Sequence, residues 1–190
     1  LSISVEDLEI PDVKIIRLPK HGDDRGFFTE TYSRRKFADA GVNVDLVQDN
    51  HAFSAHKGTL RGLHFQVPPF AQAKLVRVAR GAILDVAVDL RVGSPTFGRH
   101  VSAVISAEEW NQIFVPVGFA HGLLTLESNT EVLYKVSDVY SPEHDKGLLW
   151  NDPALGIAWP VTDVILSPKD RAQPLLANLP AYFQFEGVKP

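Results

Sequence analysis

Cysteine and methionine are both absent from this chain of 190 residues. Without cysteine there is no disulfide scaffold, no thiolate catalysis and no Cys-ligated zinc, and the composition suits a reducing cytoplasm. Without methionine, the chain is expected to lack its initiator. No run approaches the roughly 18 consecutive apolar residues of a membrane helix, and residues 1–20 carry no leader-like apolar core, so the expectation is a cytoplasmic protein with no membrane partner. Basic charge is also scarce. Lys and Arg number 19 against 23 Asp and Glu, a net charge of -4, which leaves no basic tract to neutralise a nucleic-acid polymer. What remains is ordinary globular material, 45% hydrophobic and 22% charged, of a length that fits one domain spanning 1–190.

From 13 to 138 the chain reads as short apolar or alternating runs broken by turn residues, the pattern of a mainly β sandwich or barrel. The clearest strand is 82–90. Leu84, Val86, Val88 and Leu90 share one face, which is expected to look inward, and Asp85, Ala87 and Asp89 share the other, toward polar surroundings. Further strands are expected at 26–31, 44–53, 59–67, 73–80, 98–105, 111–115, 121–127 and 130–136, with Ser128 and Asn129 turning between the last two.

Helical signal is brief. Ser33 caps a two-turn segment that Gly41 ends, and Ser106 to Glu109 reads as a capping box. After Tyr140 the chain turns proline-rich, with Pro142, Pro153, Pro160, Pro168 and Pro174, which points to an irregular wrapping segment rather than a second domain. Many strands and few helices favour closure into a barrel or double-sheet jelly roll, which protects the sheet edges.

Within Leu60-Arg61-Gly62-Leu63-His64-Phe65-Gln66, strict alternation puts His64 and Gln66 on one face and Arg61, Leu63 and Phe65 on the other. His64 then points into a cavity or into a hydrogen-bonded structural niche, and alternation does not choose between them. The run Pro116-Val117-Gly118-Phe119-Ala120-His121-Gly122 resembles the second signature of the cupin jelly rolls. Metal-binding cupins carry His-x-His and then Glu in the first signature. Here the corresponding residues are His64-Phe65-Gln66 with Lys74 in place of a carboxylate, too few ligands for a divalent ion, so neither metal nor cofactor is expected.

Taken together the motifs resemble the dTDP-4-dehydrorhamnose 3,5-epimerases, a cupin family. The resemblance rests on Arg25-Gly-Phe-Phe-Thr-Glu30, Gln48-Asp-Asn50, Leu60-Arg-Gly-Leu-His64, Lys74-Leu-Val-Arg77, Asp85-Val-Ala-Val-Asp89, Pro116 to Gly122, Tyr134-Lys135, Trp150-Asn-Asp-Pro153 and Leu166-Ser-Pro-Lys-Asp170, all in the family's order. It implies a cupin-type double-stranded β-helix with short peripheral helices. It also implies an isomerase that inverts C3 and C5 beside the C4 ketone of a dTDP-linked 6-deoxy-4-ketohexose.

Such chemistry needs a base near neutral pKa, a donor for the charge that develops on the ketone oxygen, and an acid on the opposite face. By resemblance His64 is the base, Asp170 its carboxylate partner, Lys74 the residue at the ketone oxygen and Tyr134 the acid. An unperturbed imidazole, with a pKa of roughly 6.5, accepts protons at cytoplasmic pH. The resemblance further implies Arg25 and Arg61 on the diphosphate and Tyr140 stacked on thymine. Glu30, Gln48, Asp49 and Asn50 would contact nucleotide and sugar, with His121 in the cavity and Lys169 as a looser match among the binding residues. Asp145 stands where the family often has Glu, a departure that leaves its contact open. The region of Arg25 and Glu30 matches a strand that the family exchanges between subunits, so a homodimer is implied, each site completed by its neighbour.

Several residues carry blander readings. Asp85 and Asp89 serve as lining of a polar strand face, Trp110, Trp150 and Trp159 as packing anchors, and His21, His51, His56, His100 and His144 as ordinary surface histidines. Two other functions stay open beside the 3,5-epimerase. One is a relative that inverts a single centre; the other is a non-catalytic cupin that binds sugar nucleotides.

Overall fold

The computed structural model describes residues 3–187; positions 1–2 and 188–190, which the expected domain includes, lie outside the described residues. The strands, in order, are β1 (Ser4–Asp7), β2 (Lys14–Arg17), β3 (His21–Asp23), β4 (Gly26–Phe28), β5 (Gln48–Ser54), β6 (Leu60–Gln66), β7 (Lys74–Arg80) and β8 (Ala82–Asp89). There follow β9 (Arg91–Val92), β10 (His100–Ser106), β11 (Asn111–Val115), β12 (Phe119–Thr125), β13 (Thr130–Val136), β14 (Asp145–Gly147) and β15 (Phe183–Gln184). Helices are short: α1 (Arg34–Asp39), α2 (Pro168–Arg171) and one 3-10 turn at Leu176–Asn178.

Two sheets face each other as a jelly roll. One runs β1-β2-β11-β7-β13-β5 and the other β10-β8-β12-β6-β14. Between them Ile15, Val76, Val78, Ile83, Ala87, Val101, Ile113, Leu123 and Val132 form the central core. Each outer face has its own cover. On the five-stranded sheet, Leu63, Phe65, Val86 and Val88 are buried under Leu148, Leu155, Trp159, Leu176, Leu179, Tyr182 and Phe183 of the C-terminal segment. On the six-stranded sheet, Ile16, Leu75 and Phe114 are buried under Phe37 of α1 and Val42.

That second layer reverses the expectation for β8. Its apolar face, Val86 and Val88, looks outward onto the C-terminal segment, while Asp85, Ala87 and Asp89 face the interior and are fully buried. An amphipathic strand shows which residues share a face, but a wrapped sheet has two apolar sides.

The expected strands all appear, with ends shifted by a few residues, and Asn129 turns between β12 and β13 with φ 56°. The capping box does not start a helix. Ser106 Oγ accepts from Glu109 N–H at 3.0 Å, but Trp110 then adopts φ 52° and sends the chain directly into β11. Alternation also fails in β6. His64 pairs with His121, yet Arg61 pairs with Leu123, so two residues of β6, Gly62 and Leu63, oppose Gly122 alone. This is a β-bulge. Paired residues share a face, and Leu123 belongs to the central core, so Arg61 points inward with His64, contrary to the expectation from strict alternation. Gly62 has φ 140°, and a Cβ there would lie 2.5 Å from Gly122 Cα, so only glycine fits.

Candidate active site

Cross-strand register gathers the polar interior. In the six-stranded sheet, Gln48, Val136 and Lys74 form one inward row, and Asn50, Tyr134 and Val76 form the next. In the five-stranded sheet the rows are Gly147, His64, His121, Ala87 and then Arg61, Leu123, Asp85. One end of the interior is not filled by apolar side chains. It holds a cavity of about 250 Å³ lined by His64, Gln66 and Asp145 from one sheet, Gln48, Asn50, Lys74 and Tyr134 from the other, and Tyr140 at the mouth.

His64 Nε2 lies 2.5 Å from Asp170 Oδ1, across 106 positions of sequence. Asp170 reaches it because Ser167 and Pro168 start α2 there: Ser167 Oγ accepts the Asp170 N–H at 3.1 Å, a side-chain cap. Burial pushes the Asp170 carboxyl up, but hydrogen bonds from the His64 ring, the Ser167 hydroxyl and the Gly62 N–H hold it below the usual range, so it is ionised at neutral pH. An ionised carboxylate at Nε2 requires that nitrogen to carry a proton. In a neutral imidazole, Nδ1 is then the acceptor.

Lys74 enters the cavity from β7, and its Nζ donates to the His64 carbonyl at 3.4 Å. Burial lowers its pKa to about 8 against the opposing pull of Asp145 and Asp85, so at pH 7 the charged form leads by about ten to one. Tyr134 stands on the sheet facing His64. Burial raises its hydroxyl above the ordinary phenol value, Arg61 draws it back and Asp145 adds to the rise, so it stays protonated and able to donate.

At the mouth, Asp145 Oδ2 accepts from Tyr140 Oη at 3.1 Å and from Lys169 Nζ at 2.5 Å. Gln48 Oε1 accepts the Tyr140 N–H at 3.1 Å, and its amide donates to Asn50 Oδ1 at 3.0 Å. Gln66 is consumed by backbone: its amide donates to the Phe70 and Val139 carbonyls, and its Oε1 accepts from Ser141 N–H. Among the described residues no three His, Asp or Glu side chains gather as metal ligands.

Residues 7–178 match the family model described as dTDP-4-dehydrorhamnose 3,5-epimerase. The chain belongs to the dTDP-4-dehydrorhamnose 3,5-epimerase family. A family member from Sinorhizobium fredii (strain NBRC 101917 / NGR234), named dTDP-4-dehydrorhamnose 3,5-epimerase, is 55% identical over 184 residues, 96% of this chain and 94% of its own. The crystal structure of an epimerase from Legionella pneumophila Philadelphia 1 in complex with dTDP-4-keto-L-rhamnose superposes with a TM-score of 0.93 at 40% identity, covering 97% of this chain and 99% of that one. The dTDP-4-dehydrorhamnose 3,5-epimerase of Bacillus anthracis, with TDP and PPi bound, gives 0.89 at 50% identity over 92% and 99%. The jelly roll is thus of the cupin type that this epimerase family shares.

Not every residue singled out by the family resemblance reaches the cavity of its own chain. Arg25 tips the β3–β4 hairpin, its side chain 90% exposed and paired with Asp23 at 2.5 Å. Glu30 lies in a separate hollow of about 510 Å³ beside α1, paired with Lys36 at 2.9 Å. Asp49 sits on the other face of β5 from Gln48 and Asn50, where it accepts from Lys135 Nζ at 2.6 Å. Arg61 is exposed at the cavity edge, its Nε donating to Ser54 Oγ at 3.2 Å. Asp85, which by sequence reads as lining of a polar strand face, is fully buried and receives His121 Nε2 on both oxygens, at 2.9 and 2.8 Å. Its signal, an aspartate at an inward position of a strand, is masked because the outer face of β8 is the apolar one.

Proposed function

We propose that the chain inverts C3 and C5 of dTDP-4-dehydro-6-deoxy-D-glucose to give dTDP-4-dehydro-L-rhamnose. The observation that carries the reading is the contact of His64 with ionised Asp170, on the sheet opposite Lys74 and Tyr134. His64 Nδ1 takes the proton from C3, the C–H electron pair forms the C3–C4 double bond, and the carbonyl π pair moves onto the C4 oxygen as an enolate. The Lys74 ammonium holds that charge in a site with little water, where one well-placed donor is worth about 10²–10³ in rate. Tyr134 gives its hydroxyl proton to the opposite face of C3 as the enolate collapses to the ketone. Water then returns a proton to the phenolate and removes one from the imidazolium, and the same cycle inverts C5.

The nucleotide is held around the mouth. Tyr140 offers an aromatic face to thymine, Arg61 a guanidinium to the diphosphate, and Gln48, Asn50 and Lys169 polar contacts, with His121 deeper, beside His64. Arg25 and Glu30 do not reach this cavity in their own chain. The hairpin that carries Arg25 also exposes Phe27 and Phe28, at 55% and 73%. In this reading the hairpin packs on a second copy, so the working unit is a homodimer in which each chain lends Arg25 and Glu30 to its neighbour. Asp49, on the outer face, supports the strand through Lys135.

The test is incubation of purified protein with dTDP-4-dehydro-6-deoxy-D-glucose and NMR assignment of the product ring. Inversion at C3 and C5 supports the reading. Inversion at one carbon makes the chain a single-centre epimerase, and tight binding without inversion makes it a binding protein.

A further inference from the structure

His121 and Asp85 take no step in the reaction above, yet their burial demands an account. Asp85 is 0% exposed, and His121 is its one hydrogen-bonding partner among the described residues. A fully buried carboxylate is costly unless other charges offset it. Asp85 sits on β8 beside Leu123, diagonal to His121 and on the same interior face as His64 and Arg61. The other buried aspartate of β8, Asp89, is held by Arg91, Ser94 and Thr96, whereas Asp85 has no such set of structural partners among the described residues.

We propose that Asp85 is a positioning residue of the active site: it orients His121 through both carboxylate oxygens and supplies the fixed negative charge that balances Lys74. The inference rests on the epimerase reading for its consequence in turnover, but not for its electrostatics. The cavity that holds Lys74 is also lined by the titratable groups His64 on β6, Tyr134 on β13, Asp145 on β14 and Tyr140; Asp85 on β8 acts on Lys74 through its charge, with His121 on β12 bonded to Asp85, Asp170 behind His64 and Arg61 acting on Tyr134. β5 and β11 present no titratable side chain to the interior, only Gln, Asn, Ser and apolar ones. Of the carboxylates, Asp145 is already shared by Lys169 and Tyr140 at the mouth, whereas Asp85 has no second cation paired to it. Both carboxylates favour the charged form of Lys74 against burial.

The experiment follows the Lys74 side chain by NMR in protein with isotope-labelled lysine, assigned by its loss in Lys74→Met, alongside the pH profile of kcat. In Asp85→Asn, Lys74 is expected to titrate at lower pH, so that its charged fraction at pH 8 falls at least two-fold. The alkaline limb of kcat moves with it, and KM is little changed. His121→Gln, whose amide still donates to an ionised Asp85, leaves the Lys74 midpoint in place. An unmoved Lys74 midpoint in folded Asp85→Asn overturns the proposal. If that variant does not fold, a midpoint displaced in His121→Gln with the aspartate intact does the same. A Lys74 midpoint that shifts while the kcat profile stays put leaves Asp85 as assigned and removes Lys74 from the reaction instead.

Discussion

Arg61 and His64 project into the same interior although three positions separate them on β6, because Gly122 alone opposes Gly62 and Leu63. The bulge thus brings a guanidinium and an imidazole to one side of a strand whose plain alternation would part them. Gly62→Ala tests this. Its Cβ would meet Gly122 Cα at 2.5 Å, at φ 140°. Loss of roughly 1–3 kcal/mol in urea unfolding is expected, together with a larger loss of turnover than the lost stability explains, since Arg61 and His64 shift together. Unchanged activity in the folded variant would separate the bulge from the site.

Asp170 fixes which nitrogen of His64 carries the proton. Asp170→Asn keeps the shape but not the charge, and kcat is expected to fall by about 10²–10⁴ with KM nearly constant, by the logic of other His–Asp pairs. Steady-state kinetics across pH 6–9 check it. A fall in kcat of under about five-fold would show that the ring orientation does not depend on the carboxylate.

In the proposed mechanism Lys74 sets the alkaline side of the profile. Its pKa is lowered to about 8, so the cation that meets the enolate is lost as pH rises through that value. kcat is expected to drop about tenfold per pH unit above it. Lys74→Met removes the activity and also a buried charge, so the midpoint of thermal unfolding rises by about 2–4 °C, the shift produced by 1 kcal/mol in a domain of this size. Loss of activity with a lower midpoint would mean that the ammonium stabilises the fold.

Much of this was legible in the sequence, and the reasons for the gaps are local. Alternation puts Tyr134 with Val132 and Val136 on one apolar face of β13 and sets His64 apart from Leu63 and Phe65, but it does not say which side of β6 is the inner one. Arg61 did not follow, because a bulge inserts a residue and no composition marks it beyond Gly62, which reads equally as a turn. Asp85 was hidden by the C-terminal segment, whose Leu176, Leu179 and Phe183 make the outer side of β8 as apolar as a core. The Ser106 capping box made its hydrogen bond and still gave no helix, since the short β10–β11 connection overrides a local preference.

Arg25 and His64 offer a direct test of the exchanged hairpin. Arg25→Ala and His64→Ala are each expected to be nearly inactive as homodimers. Mixed after unfolding and refolding together, half of the dimers are hybrids with one intact site in two, so about a quarter of wild-type turnover returns, on the arithmetic of symmetric pairs. No recovery in a mixture that light scattering shows to be dimeric would place Arg25 at its own chain's cavity, and full activity of Arg25→Ala alone would place it outside the reaction.

The central claim is a base on one face and an acid on the other, and solvent deuterium reads both. With dTDP-4-dehydro-6-deoxy-D-glucose in D₂O, NMR is predicted to show deuterium at C3 and C5 with inversion for the native protein. His64→Asn should show no exchange while dTDP binding is retained, and Tyr134→Phe should show exchange without full inversion. Exchange at the native rate in His64→Asn, or full inversion at both carbons in Tyr134→Phe, would contradict the account.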